Sequence, residues 1–476
     1  MAILELLILI IIGCVAILTG FSDTHPSYLT STINKQITGA FDNQPPTQIP
    51  YKQTRDNIID TPMLNINTTV PETTQLLFKI PSNETNPTYG NYPLGDKMNE
   101  LKERLNGTKL LLDDYYKKPL FDKIMLKLDP YARLKSILTR RYNAQHCTNA
   151  WLKYYEIYSK FGVIEKIAES DNIVSFHNAE LPGASICAFN HYMKTNLRQH
   201  DFDWYASSLL ADDSRALSDV YRLYECNPEH WLMSSGFRSP RKEVSVSACN
   251  GDTTLLANID YYKAHIGGRV NLYSHDAGVD ASSDYNNQED MNSKVHLGAA
   301  LAGLETLKNG GVFIAKQYTY FSDLTIYLMT KYATMFKEFY IFKPLTSRAC
   351  NSETYFIGIG YTRDETTIDH LRDLLQNFES KVSSINLDEV NDQIKQVLYE
   401  SAKDIFEQQI RCLQNRYEMY KEITNAYAHE IEELPNVVVG MVSNYAYKTF
   451  NPNQQLWIES HPVIRLNDSD KLKDNC

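Results

Sequence analysis

The stretch Gly310-Gly311-Val312-Phe313-Ile314-Ala315-Lys316 decides how this chain folds. A glycine pair, an apolar run and then a lysine read as a strand buried on both faces and ending at a charge. An unbroken apolar run, unlike an alternating one, suits a parallel sheet covered by helices on both sides. Upstream lie a helical pattern from Met291 to Leu307 and a strand-like run near Val270–Ser274. Earlier still, a helix around Asn149–Phe161 precedes a strand over Asn172–Phe176. Downstream come a helix over Asp323–Met335 and strands at Glu338–Phe342 and Tyr355–Gly360. This alternation predicts the α/β class with a mostly parallel sheet. The short connection between the last two strands predicts an antiparallel hairpin at one edge.

Beyond residue 365 the pattern is helical. Ile368, Leu371, Leu375, Phe378 and Val382 recur three and four apart, as do Val390, Ile394 and Val397, then Ile410, Leu413, Tyr417 and Tyr420. Such stripes pack helices onto the α/β domain or onto each other, or build a dimerising coiled coil. Before the α/β region, residues 22–96 are rich in Asn, Thr and Pro and read as an extended tether in which Leu76–Ile80 docks locally. At the start, Leu6–Leu18 is almost unbroken Leu, Ile, Val and Ala, and Glu5 is the only charge between Ile3 and Gly20. A membrane anchor is expected there. A signal peptide is its main rival, lacking a basic leader and a clear cleavage site. The expected organisation is thus anchor 1–21, tether 22–96, α/β domain 97–365 and helical extension 366–476.

A net charge of −11 on 476 residues excludes nucleic-acid binding through the whole surface, but leaves room for a local basic cleft. With 43% hydrophobic residues a sizeable core can be buried. The 8 cysteines have no CxxC spacing, which suggests neither a zinc ribbon nor a thioredoxin-like motif, and no metal site is expected. Scattered single thiols predict a reduced, cytosol-facing domain. The sequons at Asn67, Asn83, Asn106 and Asn467 pull the other way, although such tripeptides arise by chance in an Asn- and Thr-rich chain.

Four charged residues sit where an α/β sheet gathers its chemistry: Lys153 in AWLKYYEI, Asp276 in SHDAG, Lys316 after its strand, and Glu353 closing KPLTSRACNSE. Singly each is ordinary: a solvated strand end, a helix-surface charge, a turn residue, a surface carboxylate. In order, Lys–Asp–Lys–Glu resembles the catalytic tetrad of FtsJ-like RNA 2′-O-methyltransferases. The block Lys343–Glu353 resembles the KPxTSRxxNSE stretch of the cap-1 methyltransferases of eukaryotes and large DNA viruses. So does the run from DAG through Asn286–Glu289. The resemblance covers about residues 145–363.

It implies a Rossmann-like methyltransferase sheet, S-adenosyl-L-methionine as methyl donor, and RNA, in particular a capped mRNA 5′ end, as partner. By this carry-over Lys316 is the general base, its pKa depressed by Lys153. Asp276 orients Lys316 and faces the donor, and Glu353 holds Lys153 or the target ribose. Ser347 and Arg348 contact RNA or position Glu353. The donor loop is Ala179-Glu180-Leu181-Pro182-Gly183-Ala184, with Asp252 at the adenosine end. It departs from the family's DxGxxPGG: His177 stands at the acid, Ala179 at a glycine and Ala184 at the last glycine, with Glu180 offering an acid from a new position. An insertion over residues 195–248, with Arg238, Arg241 and Lys242, could shape an RNA groove. Anchored by its N-terminus, the domain is expected to face the cytoplasm, at a viral assembly site or a virion membrane. A catalytically silent RNA-binding or structural descendant, and a ribosomal-type RNA methyltransferase, stay open, as does the oligomeric state.

Overall fold

The structure, a computed structural model, describes residues 74–476 apart from 82–88, 90–91, 117–118, 168–171, 211–215, 234–248, 282–283 and 427–434. The unbroken apolar runs become strands. β1 is Leu76–Ile80, β2 Asn172–Asn178, β3 Asp201–Ser207, β4 Val270–His275, β5 Leu307–Gln317, β6 Phe336–Lys343 and β7 Thr354–Tyr361. They form a 7-stranded mixed sheet in the order β1-β6-β7-β5-β4-β2-β3. β3, β2, β4 and β5 run parallel. β7 is antiparallel to both β5 and β6, and β1 is antiparallel to β6. Every residue of β4 and β7 is buried, as strands covered on both faces must be. Each large side chain placed there contributes roughly 1.5–3 kcal/mol of transfer free energy.

Two features differ from the expectation. The β6–β7 hairpin is not at an edge, because β1 covers β6 with Phe78 opposite Ile341. Leu76–Ile80 does dock, but as the outermost strand of the sheet, so the region read as tether supplies one strand of the fold. β3 lies inside the stretch read as an insertion. Its sequence, DFDWYAS, alternates acid with aromatic and lacks the apolar run that marks the inner strands.

The helices of nine residues or more are α1 (Leu94–Leu110), α2 (Pro119–Lys127), α3 (Leu134–Tyr142), α4 (Asn149–Lys160), α5 (Ala184–Asn196), α6 (Leu256–Ile266), α7 (Gln288–Thr306), α8 (Asp323–Thr334), α9 (Glu365–Gln376), α10 (Asp392–Ala426) and α11 (Pro435–Ser460), among the described residues. α4 starts at Thr148, whose hydroxyl caps the amide of Trp151. α10 packs on α1 and β1, and α11 on α2. The amphipathic stripes of the extension are therefore buried within the chain itself, in one core with the sheet.

After α11 the chain returns to the sheet side. His191 Nε2 meets the Ile464 carbonyl at 2.8 Å, Asn190 Nδ2 donates to the Asp470 carbonyl at 2.8 Å, and Gln145 Oε1 accepts from Leu472 N at 2.9 Å. Cys226 and Cys476 close this return as a disulfide across 250 residues. This corrects the reading of all cysteines as separate reduced thiols, since a separation of that size leaves no trace in spacing. The expected anchor (1–21), most of the tether, and Arg238, Arg241 and Lys242 lie outside the described residues. Among the described residues no helix is long and apolar enough to cross a membrane.

Candidate functional site

The antiparallel register of β7 against β5 builds the centre of the site. Pairing Lys316 with Tyr355, and Gln317 with Thr354, sets the residue before β7 beside the C-terminal end of β5. That residue is Glu353. Asp276 follows the end of β4, the parallel neighbour of β5. Lys316 Nζ lies 3.0 Å from Asp276 Oδ1 and donates to the Asp276 carbonyl at 2.8 Å. Gly278 allows this closeness, because a Cβ there would lie 3.4 Å from Lys316 Nζ and 2.8 Å from the Tyr318 hydroxyl. Lys153, on the buried face of α4, reaches Glu353 Oε1 at 2.5 Å, and the Tyr355 hydroxyl donates to the same oxygen at 2.9 Å. The four residues singled out in the sequence thus meet at one end of the sheet as two ion pairs.

The charge balance differs from the expectation for Lys316. Burial disfavours its ammonium, but Asp276, Tyr318 and Glu353 outweigh burial and hold its pKa above the ordinary lysine value. Lys153 is itself paired, with Glu353 at 2.5 Å. Burial pushes the Glu353 carboxyl up, yet Lys153, Lys316 and Lys343 prevail and bring it down to about 2.

At the site it is Lys343, at the end of β6, whose pKa is depressed. Burial brings it down to about 7, against the opposing pull of Glu353. Its Nζ donates to the Asn351 carbonyl and Oδ1, each at 2.8 Å, and to the Glu353 carbonyl at 2.7 Å. Lys343 thereby folds the Pro344–Ser352 loop and presents Glu353. Ser347 helps, donating from Oγ to the Glu353 carbonyl at 3.1 Å. Arg348 points elsewhere, to Asp129 Oδ2 at 3.2 Å.

Two buried glutamates fall inside motifs quoted from the sequence, but the sequence reading gave neither a role. Glu156, one turn beyond Lys153 on α4, accepts from Leu345 N at 2.7 Å, Thr346 N at 3.1 Å, Thr346 Oγ1 at 2.8 Å and Trp457 Nε1 at 3.2 Å. Glu289 accepts from Thr319 Oγ1 at 2.8 Å and from the amides of Phe321 and Ser322 at 2.9 Å. Each fixes a loop that follows a strand bearing a site lysine, β6 or β5. An acid on the apolar side of a helical pattern was the available signal.

The donor loop joins β2 to α5, where β3 and β4 flank β2 on opposite sides. A reversal of strand order at that point opens a ligand crevice at the strand ends. Ala179 takes φ +53°, the left-handed conformation that favours glycine, so the backbone path survives the loss of a glycine at this position. Gly183 has φ +108°, and a Cβ there would fall 2.2 Å from Leu223 Cδ1. Leu181–Pro182 is cis, and Ala184 opens α5. His177 lies buried in β2 among the hydroxyls of Ser175, Ser185 and Ser274, at 2.9, 3.1 and 2.8 Å, and burial pushes it down to about 3. It is a neutral imidazole at the acid position. Glu180 is no free acid for a ligand: its carboxyl accepts from Ser185 N at 2.8 Å and Ile186 N at 3.1 Å, capping α5, and burial pushes it up to about 8. Asp252 Oδ1 accepts from Thr254 N at 2.9 Å and Thr254 Oγ1 at 2.7 Å, which shapes the turn before α6. The backbone of Ala179–Gly183 and the carboxylates of Asp252 and Asp276 are the groups at these strand ends that could hold a ligand.

Residues 230–361 match the family model described as FtsJ-like methyltransferase. A protein of African swine fever virus, named a probable methyltransferase, is 38% identical over 265 residues, which are 55% of this chain and 59% of that one. The cap-specific mRNA (nucleoside-2′-O-)-methyltransferase 2 of Mus musculus is 26% identical over 304 residues, 61% of this chain and 36% of that one. An uncharacterized protein of Acanthamoeba polyphaga mimivirus is 26% identical over 356 residues, 73% of this chain and 42% of that one. The chain thus spans 59% of the length of the viral methyltransferase and less of the other two.

Proposed function

From a chain that carries an FtsJ-like methyltransferase domain, we propose an RNA 2′-O-methyltransferase that uses S-adenosyl-L-methionine and acts on the first nucleotide of capped mRNA. One observation carries this reading: the Lys153–Glu353 and Lys316–Asp276 pairs converge at the strand ends beside the donor loop. When bound, the donor supplies an electrophilic methyl group on a sulfonium. Asp276 holds Lys316 with its Nζ at the carboxylate, where it can face a ribose hydroxyl. Lys316, once neutral, accepts the 2′-hydroxyl proton as the oxygen gains the methyl carbon. Lys153 and Glu353 form the opposite wall and position the ribose. Lys343 and Glu156 hold the loop that presents Glu353.

Methyl transfer from tritiated donor to m⁷G-capped, uncapped and already 2′-O-methylated RNA tests the reading. Label in the capped RNA alone is expected, and equal label in uncapped RNA would replace it with the ribosomal-type activity. A second reading, a catalytically silent descendant, is favoured by one feature: Glu180 and His177 are both neutral and engaged within the protein. Calorimetric titration separates the two, because a folded chain that binds no donor at millimolar concentration is silent.

A further inference from the structure

The helical extension builds a second groove that the tetrad does not use. It runs between α2 and α11, has an open volume of about 360 Å³, and is lined among others by Lys123, Lys127, Arg133, Tyr447 and Gln454. Tyr447 is 51% exposed, and the Arg133 guanidinium lies over it at 4.4 Å from the centroid. Gln454 is only 4% exposed, and its Nε2 donates to the Pro130 carbonyl at 3.2 Å. That bond fixes the amide and leaves Oε1 as a buried acceptor without a hydrogen-bond partner. An unpaired buried acceptor is rare in a folded protein and calls for a donor.

We infer that this groove binds one nucleotide of the RNA substrate, its base on Tyr447 with an N–H toward Gln454 Oε1 and its phosphate toward Lys127 and Arg133. Charge complementarity selects this occupant. In a chain of net charge −11 the groove gathers Lys123, Lys127 and Arg133 against the single acid Asp129. An acidic peptide would satisfy the cations but leave the ring and the amide oxygen unused. A base with phosphate satisfies all three. The groove is also joined to the site. Asp129 lines both it and a neighbouring cleft where it pairs with Arg348, which belongs to the loop that presents Glu353.

The inference rests on the RNA-substrate reading, and the test keeps the two apart by measuring binding without methyl donor. Fluorescence anisotropy of a labelled, uncapped single strand of about 12 nucleotides is followed against salt with the full chain. Tyr447→Ala is expected to weaken binding roughly 10-fold and Tyr447→Phe to restore it. Lys127→Glu with Arg133→Glu should also weaken it, and should flatten the log–log salt slope by about 0.7, the loss of one phosphate contact. A preference for m⁷GpppA over GpA as competitor that is lost in Tyr447→Ala supports the site with the cap end in the groove, and equal competition weakened alike by Tyr447→Ala supports it with an internal nucleotide there. Wild-type affinity and slope in both Tyr447→Ala and the double charge variant overturn it. RNA binding of the expected kind without methyl transfer would instead overturn the proposed activity and leave the groove standing.

Discussion

At Lys316 the proposed chemistry is most exposed to test. Lys316→Ala should lower methyl transfer roughly 10²–10⁴-fold while calorimetry finds donor binding unchanged. Lys316→Arg should fail equally, because a guanidinium keeps its proton. Asp276 and Glu353 favour the protonated form of Lys316, so the reactive neutral form grows as pH rises. The initial rate should therefore climb through the neutral range toward about pH 9, and a flat profile would remove this lysine as the base. Glu353 works in the opposite direction. Its carboxyl titrates at about 2 in the folded chain against an ordinary 4.5, so its stabilising effect is present above about 4.5 and is lost as pH falls toward 2. Glu353→Gln should cost about 3 kcal/mol at neutral pH, since Lys153 stays buried without its counter-charge. It should also flatten the fall of melting temperature over that acid window.

At the scale of elements, α4 acts through both ends of one buried face. Lys153 serves the site, and Glu156 pins the Leu345–Thr346 turn and the Trp457 indole of α11. Glu156→Ala would leave those donors buried and unpaired, at about 1–3 kcal/mol each. Urea unfolding should read a loss of at least about 4 kcal/mol, and a loss near 1 would mean that water replaces the carboxylate. β4 through β7 were legible because their apolar runs need no partner to be recognised, and only their ends moved. β1 and β3 were not, because a short strand and an acid-alternating one become strands only through neighbours distant in sequence. The site divides in the same way. The order and spacing of Lys153, Asp276, Lys316 and Glu353 could be read from the chain. The raised pKa of Lys316 and the loop-folding roles of Lys343 and Glu156 could not, since a buried charge and a surface charge are spelled with the same letter.

For the molecule as a whole, the Cys226–Cys476 bond ties the returning tail to the short helix Leu223–Cys226, whose Leu223 packs on Gly183 of the loop after β2. Closing 250 residues contributes about 5 kcal/mol in the chain-entropy picture. Thermal unfolding with and without dithiothreitol measures it. Reduction should lower the melting temperature of the wild type and leave a Cys226→Ser variant, already lowered, where it is.

The pairing of β1 with β6 also sets an order of events during synthesis. Phe78 must wait for Ile341, its partner in the sheet, to be made. At about 5–20 residues per second, the 263 residues added after Phe78 up to Ile341 (341 − 78) take roughly 13–53 s. Through that interval the ribosome carries a chain whose first strand has emerged while the strand it pairs with does not yet exist. A nascent chain arrested before residue 336 should therefore leave Leu76–Ile80 open to protease, and one arrested well beyond β7 should protect it. The strand nearest the start of the described chain is among the last parts of the sheet to be secured.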